Sequence, residues 1–472
     1  MSLTIGKFTL ESLTTGMYQD PLVLYREYVQ NAVDSIDLAI KQGVLDVQKA
    51  RVVINVDIKK CRIIIEDNGI GVPAEQVEST LLDIGNSKKS YKSARGFRGI
   101  GRLVGLSNAR RLVFETSYPG EDCRTRLTFN SDRLQELLTP GEYMNLDLED
   151  VLMESVQHDT FPEETTAHYF RVILESVSNK DEALQVEMVR DYIAQSCPLP
   201  YDAEIFSWGD MIKSELAEKG QQLAEYQVIL LTEDEEHVLY KPYRDSYLAD
   251  KQKKLMDSLE SVEIYPLIST KGQLLGIAWL GKSKLLGSIL NDSIKGIRFR
   301  KGNILVGDKL SLNGIFKEER FNGWFQGEVF VFHENIIPNA RRDSFERTPE
   351  FAELMSSLEM LGDELSRRIR AASVARAKVP LRRIITKAGD GEQSELSLVD
   401  NSVSIAHALK TLDILRQSKV SALPFLNANQ NLTATEKKLL ERLYEFLCSE
   451  LDAAHAMQLL VKFLDQQEPN DK

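Results

Sequence analysis

Three polar side chains with the spacing of one helix face stand near the start of the chain. Glu27, Asn31 and Asp34 occupy positions i, i+4 and i+7, so a helix presents a carboxylate, a carboxamide and a second carboxylate on one side. A carboxylate one turn from an amide can activate a water molecule beside a metal-bound phosphate. On these residues alone, a solvent-exposed helix face is at least as good an interpretation.

A glycine-containing turn follows a β-branched segment further along. Asp67, Gly69 and Gly71 stand directly after the run Cys61–Glu66. Two glycines let the backbone approach a ligand closely, and a buried Asp67 carboxylate can accept a hydrogen bond from an exocyclic amine such as that of adenine. A plain connecting turn is the alternative, because Asn-Gly pairs are common in turns.

A third pattern is a polar, glycine-rich loop. Gly96, Gly99 and Gly101 surround Ile100, and a helix is predicted to begin near Arg102. Glycine amides at a helix N-terminus favour phosphate groups. No strand leads directly into this loop, so it lacks the context of a dinucleotide-binding fold. Without other support, a flexible loop is the better interpretation.

The elements that must position these residues follow from apolar periodicity. A helix is predicted from Asp20-Pro21 to about Gln42, with Gly43 as its end. Further elements are predicted at 51–58 and 61–66 (a hairpin), 74–82 (a short helix), 110–117 with 123–129 (a strand pair) and 168–174 (a strand). Together they predict a layer of helices on a mixed sheet that ends near residue 176.

The remaining chain predicts a second α+β domain and a helical end. Helices are predicted at 182–196 and 351–378, and strand patterns lie at 226–240, 262–280, 296–306 and 327–332. A polar linker is predicted at 387–396, before helices at about 402–417 and 434–466. The predicted domains are therefore 1–176, 177–385 and 386–472, in the α+β class.

Composition restricts the class of protein. The chain has 472 residues, 43% apolar residues and a formal net charge of −13, which argues against non-specific nucleic-acid binding by the chain as a whole. The pattern of a signal peptide and the long apolar run of a membrane helix are both missing. Four widely spaced cysteines, with no metal-ligand spacing, are typical of reduced thiols. We therefore expect a cytoplasmic protein without a membrane partner.

In order along the chain, the three patterns resemble the motifs of the Bergerat-fold (GHKL) ATPases, the family of gyrase, heat shock protein 90, histidine kinase and MutL. The first motif stands complete as Glu27, Asn31, Ala32 and Asp34, and the second as Asp67, Gly69 and Gly71. The glycine loop corresponds to the family's lid. The resemblance implies an N-terminal two-layer α/β sandwich that binds ATP and Mg²⁺ and hydrolyses ATP.

The resemblance also implies roles. Glu27 is then the general base, Asn31 the Mg²⁺ ligand and Asp34 a support of the pocket. Asp67 then binds the adenine amine, and Gly71 lets the base approach. The remaining predicted phosphate-binding residues are Ser87, Lys88, Gly96, Gly99, Ile100 and Gly101. The family's fourth motif is a Gly-Thr pair. Thr166, or else Thr165, is the candidate, although no glycine precedes them.

The likeness continues into the second domain and is greatest to heat shock protein 90. Residues 189–201 and 327–342 look like the start and the catalytic loop of that family's middle domain, which is ribosomal S5-like. Arg342 fits best as the arginine that reaches the γ-phosphate, with Arg341 second and Asn339 in support. The last hundred or so residues do not match the chaperone. The expected protein is a divergent, shortened HSP90-like ATPase, a homodimeric clamp acting on protein clients.

Two alternatives stay open. One is a MutL- or MORC-like nucleotide switch that acts on DNA. Its support is a basic stretch made of Arg367, Arg368, Arg370, Arg376, Lys378, Arg382, Arg383 and Lys387. A solvated helix face explains the same residues and agrees better with the acidic chain. The other alternative is an inactive pseudo-ATPase scaffold, against which the intact Glu27 and Asn31 argue.

Overall fold

The computed structural model describes residues 6–13, 20–84, 99–178, 181–233, 235–377, 381–386 and 396–401. The predicted phosphate ligands Ser87, Lys88 and Gly96 and the two helices predicted after residue 402 lie outside these ranges. The chain divides into two compact units. The first comprises the described residues up to Leu248 with Met256–Ser283 and Ser288–Gly362; the second comprises Ala249–Leu255, Lys284–Gly287 and the described residues from Asp363 onward.

The helix that carries the first polar pattern has the predicted bounds. A short helix, α1 (Phe8–Leu13), precedes it, and α2 itself spans Val23–Lys41. Asp20 accepts a hydrogen bond from the Leu22 amide at 2.9 Å, and Gly43 ends the helix with φ of +72°, a conformation that glycine adopts at little cost. One face of α2 packs into the core, and its buried residues are Leu24, Tyr25, Tyr28, Val29, Ala32, Val33, Ile36 and Ala39.

An eight-stranded sheet forms the floor beneath this helix. Its strands are β1 (Arg51–Asp57), β2 (Arg62–Asp67), β3 (Ala109–Ser117), β4 (Cys123–Asn130), β5 (Val156–Pro162), β6 (Tyr169–Val177), β7 (Gln227–Leu231) and β8 (Glu236–Leu239). They lie in the order β5-β4-β3-β6-β2-β1-β7-β8. Neighbouring strands are antiparallel except β1 and β7, which are parallel. Alternate residues of the strands join the same core as α2.

Short helices complete this layer. The predicted helix at 74–82 is a 3-10 turn, Ala74–Gln76, followed by α3 (Val77–Leu81). The helix predicted to begin near Arg102 is a 3-10 helix, Gly101–Ser107. Helices α4 (Ser131–Leu138) and α5 (Leu148–Ser155) and strand β5 fill a stretch for which the sequence made no prediction. The sheet continues past residue 176 with β7 and β8, while the domain boundary at that residue stays a prediction.

A second, six-stranded sheet follows in the chain. It consists of β9 (Ser246–Ala249), β10 (Leu255–Ile268), β11 (Leu274–Ser283), β12 (Gly296–Lys301), β13 (Ile304–Val306) and β14 (Gln326–Val331), in the order β13-β12-β14-β11-β10-β9. The helices of this part are α6 (Val186–Ser196), α7 (Gly209–Glu218) and α8 (Pro349–Ala377). Most of these elements confirm the strand and helix patterns predicted beyond residue 182.

A fully buried ionic cluster surrounds Glu328 of β14. Its carboxylate accepts hydrogen bonds from Lys241 Nζ at 2.9 and 3.0 Å, Tyr201 at 2.8 Å and Trp279 Nε1 at 3.1 Å, and pairs with Arg300. Burial alone would raise the pKa of Glu328, but the charges of Arg300 and Lys241 lower that pKa to about 2. Arg300 also donates to the Gln195 carbonyl at 2.7 Å, so the cluster joins the end of α6 to the second sheet.

The second unit contains an antiparallel strand pair, β15 (Leu381–Thr386) and β16 (Leu396–Asn401). The linker predicted at 387–396 lies mostly between these strands and outside the described residues. Within the described ranges, no helix combines the length and the apolar character needed to cross a bilayer.

Candidate active site

A cavity of about 450 Å³ opens in the first unit between α2, the turn after β2, the start of the 3-10 helix at Gly101 and the loop 338–342. Its walls include most of the predicted site residues, namely Glu27, Asn31, Asp34, Asp67, Gly71, Gly99, Ile100, Gly101 and Arg342. Three sequence patterns from the first quarter of the chain and a loop from its second half therefore meet at one place. The volume lies within the usual range of ligand pockets, about 300–1,000 Å³.

The Glu27 carboxylate is a buried part of the cavity wall, and one of its two oxygens is hydrogen-bonded. Its Oε1 accepts hydrogen bonds from Arg26 Nε at 3.2 Å and Nη2 at 3.0 Å. Its Oε2 lies so close to Gly101 that a Cβ there would collide with it. Glycine at position 101 thus lets its backbone approach the carboxylate, and Oε2 is the oxygen to which Arg26 does not donate.

The turn after β2 contributes Asp67 to the cavity wall. The buried Asp67 carboxylate accepts a hydrogen bond from the Gly69 amide at 2.9 Å. Gly71 has φ of +72° and packs against the Ser117 carbonyl, where any side chain would clash. Because both glycines are pressed against other groups, this turn tolerates no side chain at either position.

Two residues that the sequence analysis missed stabilise this turn. The Thr116 hydroxyl accepts from the Val72 amide at 2.8 Å and donates to the Tyr169 carbonyl at 3.0 Å. His168 Nδ1 lies 2.8 Å from the Gly69 carbonyl, a contact in which the ring nitrogen donates. In the sequence, Thr116 is marked only by its position near the end of a predicted strand. Many threonines share that position, so it does not identify a residue that contacts the turn.

The candidate for the fourth motif lies elsewhere. Thr165 and Thr166 are exposed in the turn before β6 and are not among the residues that line the cavity. The Thr165 carbonyl instead accepts from the Gly120 amide at 2.8 Å. The threonine that contacts the glycine turn is Thr116 on β3, so the structure does not bring Thr166 to the site.

The loop 338–342 brings a cation to the cavity. Arg342 is buried and lines it, whereas Arg341 is exposed. The backbone at Arg342 has φ of +56° and is held by hydrogen bonds from the Gly307 amide to the Arg342 carbonyl at 2.7 Å and from the Arg342 amide to the Asn339 carbonyl at 3.1 Å. A left-handed conformation at a non-glycine residue costs about 1–3 kcal/mol and is concentrated at functional sites.

Arg26 connects this loop to the helix. Its Nη2 donates to the Arg341 carbonyl at 3.1 Å and also contacts Glu27 Oε1.

Arg102 lines the cavity as well as Arg342. Its guanidinium donates to the Leu81 and Asp83 carbonyls at 2.9 and 2.6 Å. Burial lowers the pKa of Arg102 to about 10, which still leaves its guanidinium charged at neutral pH. The cavity therefore combines carboxylates with two arginines.

The residues present fit ATP and Mg²⁺. Asp67, Glu27 and Arg342 all line the cavity. The Asn31 carboxamide makes no hydrogen bond with any described residue, so its oxygen is available as a metal ligand. No group of three or more His, Cys, Asp or Glu side chains in the described part of the chain could bind a metal by itself. Such a site suits Mg²⁺, which takes much of its coordination from phosphate and water.

Comparison with known families agrees with this geometry. The family model described as histidine kinase-, DNA gyrase B-, and HSP90-like ATPase matches residues 25–158. The matched stretch includes most of α2, the Asp67 turn and strands β1 to β4. It supports a GHKL-type ATPase fold with ATP-binding, nucleotide-dependent activity, and the description covers several branches of that class. No curated protein matches the chain significantly.

Proposed function

We propose that this protein is a Mg²⁺-dependent ATP hydrolase, an HSP90-like clamp in which ATP joins α2 to the loop 338–342. The observation that carries the proposal is the shared cavity of Glu27, Asn31, Asp67 and Arg342. The Arg26–Arg341 hydrogen bond spans 315 positions of sequence at the same place. A bound nucleotide that touches both segments would make their relative position depend on its phosphates.

Recognition of the base is assigned to the turn after β2. Asp67 accepts a hydrogen bond from the exocyclic amine of adenine, and Gly71 lets the ring approach the backbone. Thr116 and His168 hold the turn in place through Val72 and Gly69. Asn31 would hold Mg²⁺, and Asp34 would support the pocket beside it. The ion would offset the negative charge of the phosphates.

Hydrolysis is assigned to Glu27 and Arg342. Glu27 Oε2 accepts a proton from water as the water oxygen bonds to the γ-phosphorus and the bond from that phosphorus to the β-γ bridging oxygen breaks. ADP leaves with the electrons of the broken bond, and the proton passes to solvent. Arg342 offsets the charge on the γ-phosphate oxygens. Arg26 keeps the carboxylate in position through Oε1.

Replacement of the base tests the assignment. We expect Glu27→Ala to bind ATP but to hydrolyse it about 10²–10⁴-fold more slowly, since this is the usual contribution of a general base. ATP affinity and steady-state phosphate release measure the two effects. Glu187→Ala, at an exposed position on α6, is the matched control and should retain wild-type turnover. Near-wild-type hydrolysis by Glu27→Ala would refute the proposed mechanism.

The proposed partners are protein clients. DNA is the competing partner, favoured by Arg367 and Arg370, which are exposed on α8. Two assays distinguish protein clients from DNA as the partner. Suppression of aggregation of an unfolded model protein, dependent on ATP, supports the chaperone-type role. ATP-dependent DNA binding that weakens steeply with salt would support the DNA-acting role instead.

A further inference from the structure

Gln30 is a polar side chain in the cavity wall to which the mechanism above gives no task. It is only 2% exposed, yet it lines the cavity together with Glu27 and Asn31. Its Oε1 is fully buried and has no hydrogen-bond partner, and no described residue hydrogen-bonds to its amide nitrogen. The sequence patterns did not single it out.

A buried polar side chain without a hydrogen-bond partner lowers the stability of the folded protein. Burying an amide without a partner costs about 1–3 kcal/mol in proteins, and an apolar side chain of similar volume would avoid that cost. Apolar side chains are buried at nearby positions of the same helix, namely Val29, Ala32 and Val33. The polar group at position 30 is therefore best explained by a partner that binds in the cavity.

Its place on α2 identifies the part of the cavity that it serves. Gln30 follows Glu27 by three positions, so the two side chains are neighbours on the helix surface. Arg26 occupies Glu27 Oε1 with two hydrogen bonds, which leaves Oε2 as the single acceptor for a water molecule. One acceptor fixes one O–H bond of that water and leaves the molecule free to rotate about it.

We propose that Gln30 is the residue that orients the attacking water, an inference that rests on the proposed ATPase function. A turn of the carboxamide about its last side-chain bond brings its oxygen to the cavity surface, where it accepts from the second O–H of the water whose first O–H is bonded to Glu27. Its amide nitrogen donates to an oxygen of the γ-phosphate. A carboxamide can do both at once, because it carries an acceptor and two donors. With both O–H bonds fixed, the water lone pair faces the γ-phosphorus.

The test compares three enzymes: wild type, Gln30→Met, which keeps the volume but loses all hydrogen bonding, and Gln30→Glu, which keeps the shape but loses the donor. Two quantities are measured, namely single-turnover hydrolysis of ATP and the equilibrium affinities for ADP and for ADP with aluminium fluoride, a mimic of the transferring phosphoryl group. Thermal unfolding identifies a variant that fails to fold, in which case the other variant carries the test.

We expect both variants to bind ADP within about threefold of wild type and to hydrolyse ATP about 10²-fold more slowly, as for the loss of one transition-state hydrogen bond. Their affinity for ADP with aluminium fluoride should fall by a comparable factor. Wild-type turnover in Gln30→Met, or an equal loss of affinity for both ligands, would overturn the proposal and leave Gln30 a structural residue.

Failure of this inference can be told from failure of the ATPase assignment. Glu27→Ala is measured in the same assays. If Glu27→Ala is inactive while Gln30→Met is fully active, the water-orienting role is wrong and the proposed function stands. If Glu27→Ala itself hydrolyses ATP at the wild-type rate, both assignments are wrong.

Discussion

Arg341 and Arg342 are adjacent in sequence, but only Arg342 lines the cavity. Arg342 is buried in the cavity wall, whereas Arg341 is exposed and contributes its backbone carbonyl to Arg26. The backbone at Arg342 has a φ of +56°. Only Arg342 is therefore expected to act on phosphate.

The pair provides a matched experiment. We expect Arg342→Ala to slow hydrolysis by about 10³-fold or more, the scale at which an arginine stabilises phosphoryl transfer, while ADP affinity changes little. Arg341→Ala should hydrolyse ATP almost as fast as wild type, because its carbonyl contact with Arg26 survives the substitution. Steady-state turnover and ADP affinity measure both. The reverse ranking of the two variants would show that Arg341 reaches the nucleotide.

At the residue scale, local patterns predicted several residues that line the cavity, and their roles stay predictions. The positions of Glu27, Asn31 and Asp34 follow from helix periodicity, which needs only neighbouring residues, and all three line the cavity. Thr116 was missed because its contact depends on the strand order β3-β6-β2, which no short motif encodes. Gln30 was missed for a related reason: its lack of a partner is a property of the packed structure and not of the sequence.

At the scale of elements, β14 connects the buried ionic cluster to the arginine loop. Glu328 lies in the middle of this strand, and the strand leads into the segment that ends at Arg342. Its partners Lys241, Arg300 and Tyr201 come from other parts of the chain. The cluster therefore fixes the strand from which the loop projects.

Removing the anion of this cluster should destabilise the protein in a pH-dependent way. Glu328→Gln leaves Lys241 and Arg300 buried without their counter-charge, which typically costs about 3–5 kcal/mol. The folded-state pKa of Glu328 is lowered from 4.5 to about 2, so its stabilising contribution is complete above pH about 4.5 and is lost as the pH falls towards 2. A shift of this size corresponds to roughly 3 kcal/mol.

Denaturant unfolding of wild type and Glu328→Gln between pH 2 and 7 measures the effect. The difference in unfolding free energy should be largest near neutral pH and should shrink on acidification. An exposed control, Glu218→Gln at the end of α7, should follow the wild-type curve. A difference that does not change with pH would contradict the lowered pKa.

Elements with strong local periodicity were predicted, and those defined by distant partners were not. Helix α2 and the pairs β1–β2 and β3–β4 have nearly the predicted bounds, because each rests on periodicity or on a short connection. The parallel pairing of β1 with β7 joins residues such as Val52 and Val228. No short sequence pattern in or beside either strand predicts this pairing. The 3-10 form of Gly101–Ser107 also escaped prediction, since glycines at 101 and 105 weaken any helical periodicity.

At the scale of the whole molecule, the clamp hypothesis concerns association. We expect the protein to form a dimer with a non-hydrolysable ATP analogue and to dissociate with ADP, because only the γ-phosphate contacts both α2 and Arg342 in the proposed mechanism. Sedimentation or light scattering with each nucleotide measures this. Asp67→Asn, which should lose ATP, is the control and should not respond to the analogue. A monomer under every condition would contradict the clamp.

The parallel pairing of β1 with β7 also determines how the ATP-binding region can be isolated. A fragment cut at residue 176 would turn β1 from an interior strand into an edge strand. The backbone groups that Arg51–Asn55 now share with Gln227–Leu231 would then face water beside the buried side chains of Val52 and Ile54. Such an edge recruits other chains and promotes aggregation. A fragment that extends beyond Leu239 keeps β7 and β8 in place and covers that edge.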